Sequence, residues 1–102
     1  MILEQVQLSV VPGREEEFEH AFDTARHIPA AAAGFRSLRL GRCVEQPSTY
    51  LLLVEWDTLA DHMEGFRNSE AFGQWRGLLG HFWDPPPTVL HFTDRVSMGD
   101  PR

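Results

Sequence analysis

Lysine is absent from this 102-residue chain, so all nine of its permanently basic residues are arginine. Against 15 acidic residues they leave a net charge of −6. That balance argues against a nucleic-acid surface, which needs a clustered basic excess. The missing lysine reads as composition bias, not as a binding patch. Cysteine is nearly missing too. Cys43 stands alone, which precludes an internal disulfide and a cysteine-based zinc site and fits a reducing compartment. No apolar run approaches the roughly 18 to 20 residues that a membrane span needs. The first residues, Met1 to Gln5, lack a basic stretch and a long apolar one. A soluble, cytoplasmic protein is therefore expected, with neither membrane nor nucleic acid as a partner. Also missing are a glycine-rich phosphate loop, a nucleophile elbow and paired catalytic carboxylates. His62, His81 and His91 show no metal-type spacing.

What is present centres on Tyr50 to Arg76. Tyr50-Leu51-Leu52-Leu53-Val54-Glu55-Trp56 is a bulky apolar run bounded by turn residues, the pattern of a short buried strand. The period then shifts from two to about 3.6, with Leu59, His62, Met63 and Phe66 on one helical face. Thr58 and Asp61 form a capping pair. A second start at Ser69 leads into Phe72, Trp75, Leu79 and Phe82. A break is expected near Asn68, because Gly65, Gly73, Gly77 and Gly80 weaken this region.

Around this stretch the rest falls into order. Ile2 to Val11 alternates, with Ile2, Val6, Leu8 and Val10 on a dry face that Glu4 interrupts. Pro12-Gly13 ends that strand. A helix follows from about Arg14 to the Ala30–Ala33 run, acidic at its start, where the dipole favours acids. Pro29 should kink it or end it early, and Gly34 is a plausible cap. His20 and His27 fall on its polar side. Phe35 to Val44 is a second strand, joined to the third by a connection of hairpin length. Asp84-Pro85-Pro86-Pro87 is a stiff linker. Thr88 to Val96 is the last strand, with His91 on the opposite face from Leu90 and Phe92. A single domain over 1–96 with a frayed tail over 97–102 is expected.

Strand, helix, strand, strand, helix, strand is the ferredoxin-like split βαβ arrangement, an α+β fold with a four-stranded antiparallel sheet and both helices on one face. The third strand is apolar on both faces. Helices cover only one, so a second copy packed sheet against sheet, a homodimer, is the expected cover.

At this level the chain resembles the antibiotic biosynthesis monooxygenase family, the dimeric α+β barrels. The resemblance rests on Pro12-Gly13 before a Phe-bearing helix, on Gly34-Phe35, on Tyr50 to Trp56 and on His62…Phe66-Arg67-Asn68-Ser69-Glu70-Ala71-Phe72. It implies a pocket between the sheet and the helices. It also implies oxygenation of a small aromatic or quinol in some members with no metal, flavin or other cofactor, haem degradation in others, and no settled activity in several. The haem branch matches poorly. Its strand-one Asn has only Gln5 and Gln7 as counterparts here, and its axial His falls near Trp75-Arg76.

On this resemblance His62 is the candidate base, since its ordinary pKa lies near neutrality and partial burial keeps it neutral. Arg76 is a candidate contact for an anionic oxygen. Trp56, Phe66 and Trp75 are candidate apolar walls, and His81 a further substrate contact. Each has a structural reading too: core packing or dimer contact for the aromatic residues, a backbone-bonded boundary residue for His62, and a surface guanidinium for Arg76. The alternative to an enzyme is a non-catalytic dimeric module that binds a small ligand or a partner.

Overall fold

The first strand, β1 (Ile2–Ser9), runs up the middle of a four-stranded sheet because its even-numbered residues are apolar apart from Glu4. A computed structural model describes residues 1–99. In it β1 lies between β3 (Thr49–Trp56) and β4 (Val89–Phe92), and β2 (Phe35–Arg42) lies on the far side of β3. All three pairings are antiparallel. Val6, Leu8, Tyr50, Leu52, Val54 and Trp56 point to one side and pack against Phe18, Phe22, Phe66, Trp75 and Leu79 from the helices. This is the α+β, ferredoxin-like sheet-and-helix arrangement expected from the element order.

Helix α1 (Glu15–Ala25) stops before the alanine run, and a one-turn helix α2 (His27–Ala30) follows. Pro29 accounts for the stop. Its ring would meet the carbonyl four residues earlier, that of Ala25, and it has no N–H to donate there. His20 and His27 are exposed, as the stripe of α1 implies. Gly34 takes a positive φ of 82° and turns the chain into β2.

Between β3 and helix α3 (Glu70–Leu79) the expected α-helical turn is instead a π-helix, Asp61–Phe66. The amide of Arg67 donates to the carbonyl of His62 over 2.9 Å, closing the wider turn. Thr58 and Asp61 cap its start, with Asp61 N–H donating to Thr58 Oγ1 and Thr58 N–H to Asp61 Oδ2. The wide turn changes which residues face inward. His62 and Phe66 are buried, whereas Leu59 and Met63, expected on the same face, are exposed. The break falls at Arg67 to Ser69, around the expected Asn68, and the Ser69 hydroxyl caps α3 by accepting from Phe72 N–H.

The last strand is shorter than Thr88 to Val96. Phe92 pairs with Leu3, and β1 begins one residue earlier, at Ile2, so from Asp94 onward there is no strand residue to pair with. Residues 97–99 lie in no helix or strand, and the rest of the expected tail, 100–102, lies outside the described residues. Among the described residues no helix is long and apolar enough to cross a membrane.

Candidate functional site

Glu4 breaks the apolar alternation of β1, and the fold turns that break inward. It pairs with Val54 on one side and with His91 on the other. Directly paired residues share a face, so Glu4 and His91 both lie on the helix side. Glu4 is 6% exposed. Its Oε1 accepts the indole N–H of Trp56 over 2.9 Å and lies 3.3 Å from Nε2 of His62. His62 is 3% exposed. Its ring stacks on Trp56 with centroids 5.2 Å apart and 19° between planes. Its other nitrogen, Nδ1, is 2.8 Å from Nε2 of His91. Glu4, His62 and His91 thus form a chain, in which His62 touches one neighbour with each nitrogen.

Burial sets the charge states. It raises the pKa of Glu4 above the usual carboxylate value, partly offset by the Trp56 hydrogen bond and the positive charge of Arg67. It lowers that of His62 to about 4, with further lowering from His91 and Arg67. It lowers that of His91 as well, with Arg67 adding to the effect. An ionised Glu4 so close would favour an imidazolium, but stripping water from a second buried charge costs more than the pair regains. His62 is therefore a neutral imidazole at pH 7.

This chain borders a cavity of about 240 Å³ between β1, β4, α3 and the proline linker. Glu4 and His62 stand on one side of it, Val6, Leu8, Leu52, Phe72, Trp75 and Trp83 make its apolar walls, and Arg67 and Arg76 bring guanidinium groups. Neither arginine makes a salt bridge among the described residues. Arg67 lies over the ring of Phe72, 5.5 Å from its centroid. The indole N–H of Trp83 is buried with no hydrogen-bond partner.

Of the residues singled out from sequence, His62, Trp75 and Arg76 meet at this cavity. Trp56 stands behind His62 as its stacking partner and as the donor to Glu4. Phe66 packs on Trp56 and borders a second cavity, of about 310 Å³, beside Ile28 and Ala32. His81 lies elsewhere. The Gly80–Phe82 3₁₀ turn carries it to the surface, where Arg14 reaches its carbonyl oxygen and its ring. His91 lies opposite Leu90 and Phe92 as expected and faces the helices, while those two face the other way and are exposed. Among the described residues no three His, Cys, Asp or Glu side chains converge on one point as metal ligands would. Glu4 and His91 sit at opposite nitrogens of His62, which makes a line.

Glu4, His91 and Arg67 were not read as site residues from the sequence. For Glu4 the signal was present: an acid on the dry face of a central strand has to find a partner. For His91 it was not, because the strand's parity gives two faces without saying which is inside.

A four-stranded antiparallel sheet backed by helices, with a ligand-sized cavity lined by a carboxylate, an imidazole and two guanidinium groups, defines a small α+β domain of the ferredoxin-like kind. The family model described as antibiotic biosynthesis monooxygenase matches residues 1–78. The uncharacterised protein YczJ of Bacillus subtilis is 46% identical over 94 residues, covering 92% of this chain and 99% of that one. A crystal structure from Bordetella bronchiseptica that bears the same family description is 38% identical and superposes with a TM-score of 0.89, over 93% of this chain and 97% of that one. One from Nitrosomonas europaea, at 16% identity and a TM-score of 0.78 over 92% and 98% of the two chains, shares the fold. The chain belongs to the antibiotic biosynthesis monooxygenase family.

Proposed function

We propose that this protein is a cofactor-independent monooxygenase of a small, electron-rich aromatic or quinol, working as a homodimer. The observation that carries the reading is the Glu4–His62–His91 chain, whose Glu4 and His62 line a largely apolar cavity together with Arg67 and Arg76. Family membership supports a general monooxygenase-like role. The aromatic walls suit a flat ring.

An anthrone-type substrate shows how the groups would act. Its enol hydroxyl loses a proton to the base in the cavity, and the O–H electron pair stays on the substrate. The resulting anion passes one electron to dioxygen, giving a substrate radical and superoxide, which join in a new C–O bond. The hydroperoxide anion takes the proton back from the base. The hydrogen left on that carbon then departs as a proton while the O–O bond breaks, so that a C=O forms and water leaves. One CH₂ and one O₂ become one C=O and one H₂O, and the substrate supplies all the electrons. The guanidinium groups would hold the anionic oxygens, and the apolar walls would shelter the radical pair from water.

The test is oxygen uptake with a panel of reduced quinols and anthrones, with a chelator present and no flavin added. Uptake by the wild type, reduced about a hundredfold by His62→Ala, is the expected result, that being the low end for a general base and its support. Uptake no greater than background autoxidation on every substrate would overturn the reading and leave a ligand-binding module.

A further inference from the structure

We propose that Glu4, not His62, is the group that takes the substrate's proton, and that His62 is the residue that positions and tunes it. The proposal rests on the monooxygenase reading above and concerns the same cavity.

The geometry points there because His62 Nδ1 is hydrogen-bonded to His91 and Nε2 already has a carboxylate oxygen as its neighbour. Nδ1 lies 2.8 Å from His91 Nε2, and Nε2 lies 3.3 Å from Glu4 Oε1. A histidine acting on a substrate needs a free lone pair directed at it, and His62 would have to break one of these contacts to offer one. Glu4 has no such conflict. The Trp56 indole and His62 both approach the same oxygen, Oε1, and the carboxyl borders the cavity. That leaves Oε2 as the oxygen to meet a ligand hydroxyl.

The protons can be placed accordingly. The Trp56 N–H must donate to Oε1, since an indole has no lone pair to accept with. With Glu4 ionised, the neutral His62 turns Nε2–H towards it, a 3.3 Å contact rather than an aligned hydrogen bond, and its Nδ1 accepts from Nε2–H of His91. No two lone pairs and no two N–H groups in the line then face each other. The opposite tautomer, Nδ1–H, would put the bare Nε2 against Oε1 and would require a protonated Glu4, which could not act as a base. In the reaction the substrate O–H breaks, its electron pair stays on the substrate oxygen, and the proton bonds to Oε2. It returns from there to the hydroperoxide anion. Burial strengthens the carboxylate as a base relative to an exposed one. The charged or titratable groups around it are His62 from the π-helix, His91 from β4, Arg67 beyond the π-helix and Arg76 from α3.

Two measurements on the full chain test this. The first needs no turnover: the nitrogen NMR spectrum of ¹⁵N-histidine-labelled protein at pH 7. A His62 fixed as the Nε2–H tautomer, losing that preference in Glu4→Gln, is expected. A His62 held as Nδ1–H overturns the proposal whether or not any substrate is oxidised. The second is the pH profile of kcat/KM on whichever quinol or anthrone the wild type oxidises. Glu4→Gln, which keeps the acceptor for Trp56, should lower kcat/KM about a hundredfold or more and abolish the acidic limb. Glu4→Asp should keep the limb at reduced rate. His62→Ala should lower the rate and shift the limb without removing it. A limb that survives in Glu4→Gln and vanishes in His62→Ala would make His62 the base and overturn the assignment. Absence of turnover on every substrate counts against the monooxygenase reading alone, and the tautomer still decides the role of Glu4.

Discussion

His62 carries a cost that shows in the acid stability of the fold. Its pKa is about 4 in the folded chain against an ordinary 6.5. Between those values the unfolded chain binds the proton and the folded chain does not, so the stabilisation is complete above 6.5 and is lost as the pH falls towards 4. A gap of that size is worth at most about 3 kcal/mol. Glu4 works the other way. Its pKa is raised from 4.5, so its contribution is greatest below 4.5 and declines as the pH rises through its folded value. Comparing wild type with His62→Gln separates the two. Urea unfolding at pH 7.5 and at 4.5 should show the wild type losing more stability on acidification than the variant does. Equal losses would mean that His62 is not held neutral by the fold. At this scale the sequence was legible in part. His62 stood out as a histidine among apolar residues, and Trp56 as an aromatic at a strand end. Their partner Glu4 was visible only as an exception to a pattern, because alternation shows the face a residue occupies and not what waits there. His81 was unreadable, since the 3₁₀ turn after Gly80 sets a direction that no helical period projects.

At the scale of elements, two short features hold the π-helix in place, and each gives a prediction. Gly34 has a φ of 82°, and a Cβ there would collide with the side chain of Asp61, the first residue of the π-helix. Gly34→Ala should therefore cost about 1–3 kcal/mol from the backbone conformation, plus whatever the displaced Asp61 cap loses. The urea midpoint would fall with an unchanged slope; an unaltered midpoint would mean that the turn relaxes freely. Ser69→Ala removes the N-cap of α3 and should cost about 1 kcal/mol, again read from urea unfolding, with the cavity's ligand affinity unchanged. Sequence located these elements well. The strand, helix, strand, strand, helix, strand order, the break near Asn68 and the early stop at Pro29 all follow from turn and cap residues. It missed the π-helix, because Leu59, His62, Met63 and Phe66 satisfy a 3.6-residue period. Only packing reveals that a wider turn buries His62 and Phe66 and turns the other two to solvent.

At the scale of the whole molecule, the unfinished surface is the outer face of the sheet. Leu51 is 37% exposed there, Leu90 54% and Phe92 44%. They share one face, where Phe92 pairs with Leu3, Leu90 and Leu53 flank Gln5, and Leu51 pairs with Gln7. The cavity lies on the opposite, helix-covered side, so a partner placed on this face would leave it open. Exposed large apolar side chains gathered on one sheet face of so small a domain mark an interaction surface, and a two-fold copy meets it with a face of the same chemistry. We expect the protein at micromolar concentration to sediment at twice 11.6 kDa, and its melting temperature to rise with concentration, as mass action requires of a dimer. Substituting Leu90→Glu and Phe92→Glu together should give a monomer, since carboxylates buried in a sheet-to-sheet interface cannot be desolvated without counter-charges. Glu4, His62 and Arg76 lie on the other face, so the monomer should keep whatever ligand binding the cavity has. A wild type that sediments as a monomer, with a melting temperature independent of concentration, would show that the sheet tolerates its apolar face in water. It would also remove the homodimer from the proposed function while leaving the Glu4–His62–His91 chain untouched.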